Sequence, residues 1–479
     1  MGIGRRERAS GGPLDVAAAT ALFVLVPVVA AGGLVTKPLN ETGRTGLVFG
    51  LAAAASLPAL WRSRWWRQPA PMLLALFWAL FWALSPRALA AAPDGRLGRG
   101  ELAGLAVCTF VSVAAVALSR GSRLGLQAFR WGWVVALLLT GGIGVWEVVS
   151  GRHLWTPEWA PWRFGDGSVI SSTFINPNNF SDALVGMLAG VVALWVAAGT
   201  AGTGRKALRA VLASLAVFAV GLMLLTQSRG GLVGVVVIGT LEVLRRRRVA
   251  VGARALRVVL AEHRRAVAAA VLGILVLIAA TFVVPTLAAR NPLRATIALM
   301  FTDEQSRSDL LRVRLIRFAL GYLRDSGWTG SGAGSFEPLF WNDPHRGALP
   351  ATNLHNAFVE LLTQYGVPVF APYLALLVVL AAALWPGRRT GGRSTAAALD
   401  AASLNRLALR NELAGQLTAF ALLGVTASSA LEIPFWWLSL ANAVALAWYL
   451  GSTRRIPVAA AAPGTSNRSP SPRPVGTRS

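Results

Sequence analysis

Apolar runs long enough to cross a bilayer recur along almost all of this 479-residue chain, and no other feature restricts its fold so tightly. A run of about 18 residues or more can carry a helix across about 30 Å of hydrocarbon. In that solvent every backbone N–H and C=O must be satisfied internally, which helices do within one segment. The runs are apolar on all faces rather than on one stripe, which argues against a soluble helical core. Spans are expected at 14–36, 44–60, 69–92, 101–119, 128–150, 179–199, 207–226, 230–245, 266–287, 356–385, 411–430 and 434–452. The fold class is therefore all-α and polytopic, with about 12 transmembrane helices. The first run follows Arg5, Arg6 and Arg8 but is too long for a signal peptide, and it reads as an uncleaved anchor.

The net charge is +25, from 46 Lys+Arg against 21 Asp+Glu. On a soluble chain such an excess suggests nucleic acid. Here its placement explains it, and no nucleic-acid partner is expected. With the N-terminus inside, most of the basic residues fall in segments that face the cytoplasm, among them Arg62–Arg67, Arg120–Arg130 and Arg388–Arg410. The run Arg245-Arg246-Arg247-Arg248 then stops a span on the cytoplasmic side, or holds lipid headgroups. This orientation puts one long extracytoplasmic segment, 288–354, between the ninth and tenth spans. The single cysteine, Cys108, lies in an apolar span and reads as packing. Residues 453–479, rich in Pro, Ser and Arg, read as a disordered cytoplasmic tail.

Polar residues at membrane depth are costly, so they mark function or interhelical contacts. Four places stand out, all on the outward side. Thr226-Gln227-Ser228-Arg229-Gly230-Gly231 joins two spans with almost no loop. Arg229 either snorkels to the interface or, at a helix N-terminus beside exposed backbone N–H groups, holds an anion such as phosphate. A helix expected at 306–325 places Arg307, Arg314, Arg317 and Arg324 on one side. Arg312 falls on the other, among Leu311, Leu315, Ile316, Ala319 and Leu323, where it either snorkels or points into a polar cavity. His355-Asn356 opens the tenth span; the histidine is either a hydrogen-bonding cap or a proton-transfer group. Thr173-Phe174-Ile175-Asn176-Pro177-Asn178-Asn179-Phe180 leads into the sixth span, and its asparagines either cap that helix or bind sugar hydroxyls or phosphate.

Taken in order, these pieces resemble the bacterial O-antigen ligase and polymerase superfamily, which handles polyprenyl-diphosphate-linked glycans. The resemblance rests on Asn176-Pro177-Asn178, on Ser228-Arg229-Gly230, and on Arg312 leading a helix into Gly330-Ser331-Gly332. It ends with His355-Asn356 running through Glu360 to Gly366. It covers about 170–372, after N-terminal spans at 14–169 and before C-terminal spans at 373–452. The departures are Ile316 where an aromatic is usual, Gly327 where proline is usual, and Val367-Pro368-Val369 where a second glycine is usual. The spacing to the Gly-x-Gly turn selects Arg312 over Arg314 as the family arginine.

The resemblance implies a GT-C-type inverting glycosyltransferase in the bacterial inner membrane with an extracytoplasmic active site. The implied donor is a glycan on undecaprenyl diphosphate. The acceptor is a saccharide hydroxyl, for instance on the lipid A core. Arg229, Arg312 and His355 are the implied catalytic residues, with Arg314, Asn356, Ser228, Gln227, Asn176, Asn178 and Glu360 in substrate binding. Neither cofactor nor metal is expected. A polymerase and a protein O-oligosaccharyltransferase share the donor and differ in acceptor; a lipid-glycan transporter or flippase is the alternative of another class.

Overall fold

The computed structural model describes residues 12–32, 65–154, 169–174, 176–199, 203–250, 303–347, 353–385, 401–426 and 430–453. The expected spans 44–60 and 266–287, the first part of segment 288–354, and the tail lie outside these residues. Among the described residues all regular structure is helical. Twelve helices follow in order: α1 (Pro13–Ala31), α2 (Pro69–Ala90), α3 (Gly95–Ser119), α4 (Arg123–Ser150), α5 (Pro177–Ala197), α6 (Thr203–Leu225), α7 (Arg229–Ala250), α8 (Asp303–Asp325), α9 (Phe336–Asn342), α10 (Ala357–Leu384), α11 (Ala401–Thr426) and α12 (Pro434–Thr453). Seven of them, α1 to α6 and α10, are long and apolar enough to cross a membrane.

Caps set several helix starts earlier than hydropathy alone places them. Asp94 accepts from the N–H groups of Arg96 and Leu97, so α3 begins at Gly95 rather than near 101. Ser122 accepts from Gly125 N–H and starts α4 ahead of 128. These side chains satisfy donors that the first turn leaves free.

The bundle is built around α12, buried without interruption from Phe435 to Val444 despite Ser439 and Asn442. It packs on α3 and α11; α11 also packs on α5, α1 on α4, and α2 on α10. Aromatic rings fill the centre: Phe420 stacks on Trp436 at 4.6 Å, and Trp78 meets Trp437 at 4.5 Å. Among the ion pairs of the described residues, Arg130 of α4 grips Glu412 of α11 with both ends of its fork, at 2.5 to 3.1 Å. Both side chains are buried, so each charge depends on the other.

A second, smaller core lies beside the bundle. Leu315 and Ala319 of α8, Phe336 and Phe340 of α9, and Leu354 ahead of α10 are all buried together. It ties the arginine-bearing helix to the chain that carries His355.

Candidate active site

The link between α6 and α7 is a single tight turn. Gln227 takes a left-handed conformation, φ 54°, and the Ser228 N–H donates to Thr226 Oγ1 at 3.3 Å. Arg229 is the first residue of α7 and is half-buried. The next residue, Gly230, packs closely on α5: a Cβ there would lie 2.5 Å from Asp182 Oδ1 and would have to displace that carboxyl. Small residues let the two backbones approach this closely.

Arg312 and His355 come together. On α8 Arg312 is half-buried beside the buried Leu315, whereas Arg314, Arg317 and Arg324 are exposed. His355 is half-buried just ahead of α10 and takes a left-handed conformation, φ 52°, with its N–H donating to Asn353 Oδ1 at 2.8 Å. Burial first, and then the positive charge of Arg312, push the imidazole down to about 4. At neutral pH it is therefore unprotonated and able to accept a proton.

Arg229 stands at the same end of the bundle, connected step by step. Gly230 lies over Asp182, Thr426 at the end of α11 donates to Asp182, and Gly424 packs on Phe358, three residues after His355.

The remaining sequence candidates divide. Asn356 caps α10 through Val359 N–H at 3.1 Å, and Asn176 caps α5 through Asn178 N–H at 2.9 Å. Glu360 is buried and turned toward Gln364, whose Nε2 donates to it at 3.2 Å. Arg314 lies on the exposed stripe of α8, and Ser228 is buried in the α6–α7 turn.

Sequence reasoning missed two polar residues here, Asp182 and Glu101. Asp182 and Asn179 on α5 are buried, each with one side-chain oxygen lacking a partner among the described residues. Glu101 on α3 is buried and hydrogen-bonded to the Gly330–Ser335 loop. The signal was present, since Asp182 is an acid inside an apolar run, which alone marks a position for scrutiny.

That loop explains an irregularity in α10. Pro368 has no N–H, so the Gln364 carbonyl loses its helical donor, and Gly366 leaves helical geometry at φ 76°, ψ 176°. The loop supplies the missing partners: Ser331 N–H donates to Thr363 O at 2.8 Å and Gly332 N–H to Gln364 O at 3.1 Å. In return Val367 N–H donates to Trp328 O at 3.0 Å. Irregular backbone at membrane depth survives only when buried and paired in this way.

Residues 213–374 match the family described as O-antigen ligase. Over that part of the chain the match supports the O-antigen ligase/polymerase superfamily. The matched O-antigen ligase domain runs from α6 into α10 and contains Ser228, Arg229, Arg312, His355, Asn356 and Glu360. Asn176, Asn178, Asp182 and Glu101 lie outside it. No curated protein matches the chain.

Proposed function

We propose that the chain transfers a glycan from a polyprenyl diphosphate, of the undecaprenyl type, to a saccharide hydroxyl such as one on the lipid A core. The reaction is placed on the extracytoplasmic face of the inner membrane, with inversion, on a GT-C-type scaffold. The observation that carries this reading is the pairing of half-buried Arg312 with an unprotonated His355 inside an O-antigen ligase domain.

Breaking the bond between sugar and diphosphate develops negative charge on the leaving group. Fixed guanidinium groups stabilise that charge without reorganising, and a planar fork can grip two phosphate oxygens at once. Arg312 and Arg229 take this role. His355 takes the proton of the acceptor hydroxyl as its oxygen attacks the anomeric carbon from the side opposite the diphosphate. The geometry adds a coupling. Diphosphate bound at Arg312 offsets the charge that holds His355 down, so the base strengthens when the donor is in place. The side-chain oxygen of Asn356 is committed to Val359 N–H, whereas Glu360 bonds Gln364 through one oxygen and keeps the other without a partner among the described residues.

A polymerase shares every one of these features and differs only in acceptor. Deletion of the protein separates the two. Long glycan accumulating on the polyprenyl carrier, with bare lipid A core, is expected for the ligase. Accumulation of single lipid-linked repeat units would assign the polymerase, and unchanged lipid-linked pools would overturn both.

A further inference from the structure

We infer that Glu101, an acid of α3 outside the matched domain, is a positioning residue that clamps the Gly330–Ser335 loop and thereby sets Arg312 against His355. Its consequence for catalysis rests on the transferase reading; its geometry does not.

A carboxylate this deeply buried, 6% exposed, must be satisfied by the protein. Glu101 Oε1 accepts from the Tyr365 hydroxyl at 2.5 Å, and Oε2 accepts from Gly334 N–H at 3.1 Å. The same N–H also reaches Gln364 Oε1 at 2.5 Å. One backbone donor is thus held between α3 and α10. The neighbouring Ala333 N–H donates to Ala88 O of α2 at 2.9 Å, and a Cβ on Gly98 would lie 3.0 Å from Ala333 O. The loop is fixed to three helices within two residues. Both carboxyl oxygens of Glu101 are thereby occupied, one by α10 and one by the loop.

The clamp reaches the site through contiguous packing. Gly334 is two residues ahead of Phe336, which starts α9. Phe336 and Phe340 share their core with Leu315 of α8, one turn from Arg312, and with Leu354, the residue before His355. Release of Gly334 frees the hinge of that core relative to the bundle. Glu432 and Glu360 lie near Glu101, and among the described residues neither hydrogen-bonds to the loop.

The test uses full-length protein in lipid nanodiscs with isotope-labelled histidine. The chain has only 4 histidines, so the His355 signal can be assigned with a His355→Asn variant. In the parent protein His355 should titrate near 4, because it is buried and Arg312 is beside it. In Glu101→Ala it should move up toward the ordinary value of about 6.5, and kcat should fall about 10-fold or more. Glu101→Gln should restore both, since its Oε1 can accept from Gly334 and its Nε2 can donate to the Tyr365 oxygen. An unmoved His355 in Glu101→Ala, a parent value already near 6.5, or a Gln variant shifted as far as Ala would each overturn the clamp. Should Glu101→Ala fail to fold, Gln364→Ala removes the other acceptor of the same N–H, and the same criteria apply. The titration needs no turnover: His355 shifting in a protein that transfers nothing would leave the clamp standing and remove the transferase reading.

Discussion

Arg312 faces His355 where α8 meets the start of α10, and the two half-buried side chains oppose each other's charge. Burial and a cationic neighbour both disfavour imidazolium, so the folded value, about 4, lies below the unfolded one. Between about pH 4 and 6.5 the unfolded chain binds a proton here that the folded chain does not, so this site subtracts stability as pH falls through that window. Arg312→Ala should raise the His355 titration and lower transfer by about 100-fold or more. Arg317→Ala, on the exposed stripe, should keep most activity and leave His355 alone. Histidine NMR and a transfer assay read both, and equal tolerance of the two substitutions would remove Arg312 from the site.

The kink in α10 yields a separate expectation. Gly366 sits at φ 76° against Thr329 and Gly330, so an added methyl meets backbone that has nowhere to go. Gly366→Ala should therefore cost about 2 to 4 kcal/mol, through strain and displacement of the loop together. Thermal unfolding followed by fluorescence size-exclusion in detergent measures it. Gly239→Ala, where a Cβ meets nothing within 4 Å, is the control and should be near neutral.

How much of this was legible in the sequence depended on distance along the chain. The helical class followed from local chemistry, because lipid leaves the backbone few ways to satisfy itself. The facing of Arg312 away from Arg314, Arg317 and Arg324 followed from helical periodicity, which needs no tertiary information. The Glu101–Gly334 bond, by contrast, joins residues 233 apart, and nothing local to either announces the other. Glu101 stands at the first position of an expected span, where an acid is ordinary. Asp182 follows Asn178 and Asn179 within the first turns of an expected span, where polar residues also belong to an ordinary helix start. The short α9 escaped because seven residues show too little periodicity to separate helix from turn.

The buried Arg130–Glu412 pair gives a stability prediction remote from the chemistry. Removing one partner leaves a charge stranded in the bundle, so Glu412→Ala should cost about 3 to 5 kcal/mol. Replacing both, as Arg130→Met with Glu412→Leu, should recover most of that loss, because two apolar side chains need no partner there. Thermal unfolding of the two variants in one detergent reads the difference. A double variant no better than Glu412→Ala would show that the pair is needed for more than mutual neutralisation.

The sharpest separation of roles lies between His355 and Arg229. If His355 is the general base, His355→Ala should reduce transfer by about 100-fold or more while donor still binds, since both arginines remain. Raising the pH should restore part of the rate, because hydroxide or buffer can then take the acceptor proton. Arg229→Lys should behave differently. It keeps the charge but loses the fork, so donor affinity should fall and pH should not restore it. Purified protein with a synthetic polyprenyl-diphosphate donor, assayed for binding and transfer across pH, distinguishes the two. Loss of donor binding in His355→Ala would make the histidine a ligand or a structural element of the α10 entry. Near-normal transfer in that variant would send the acceptor proton elsewhere and leave Arg312 as a phosphate contact alone.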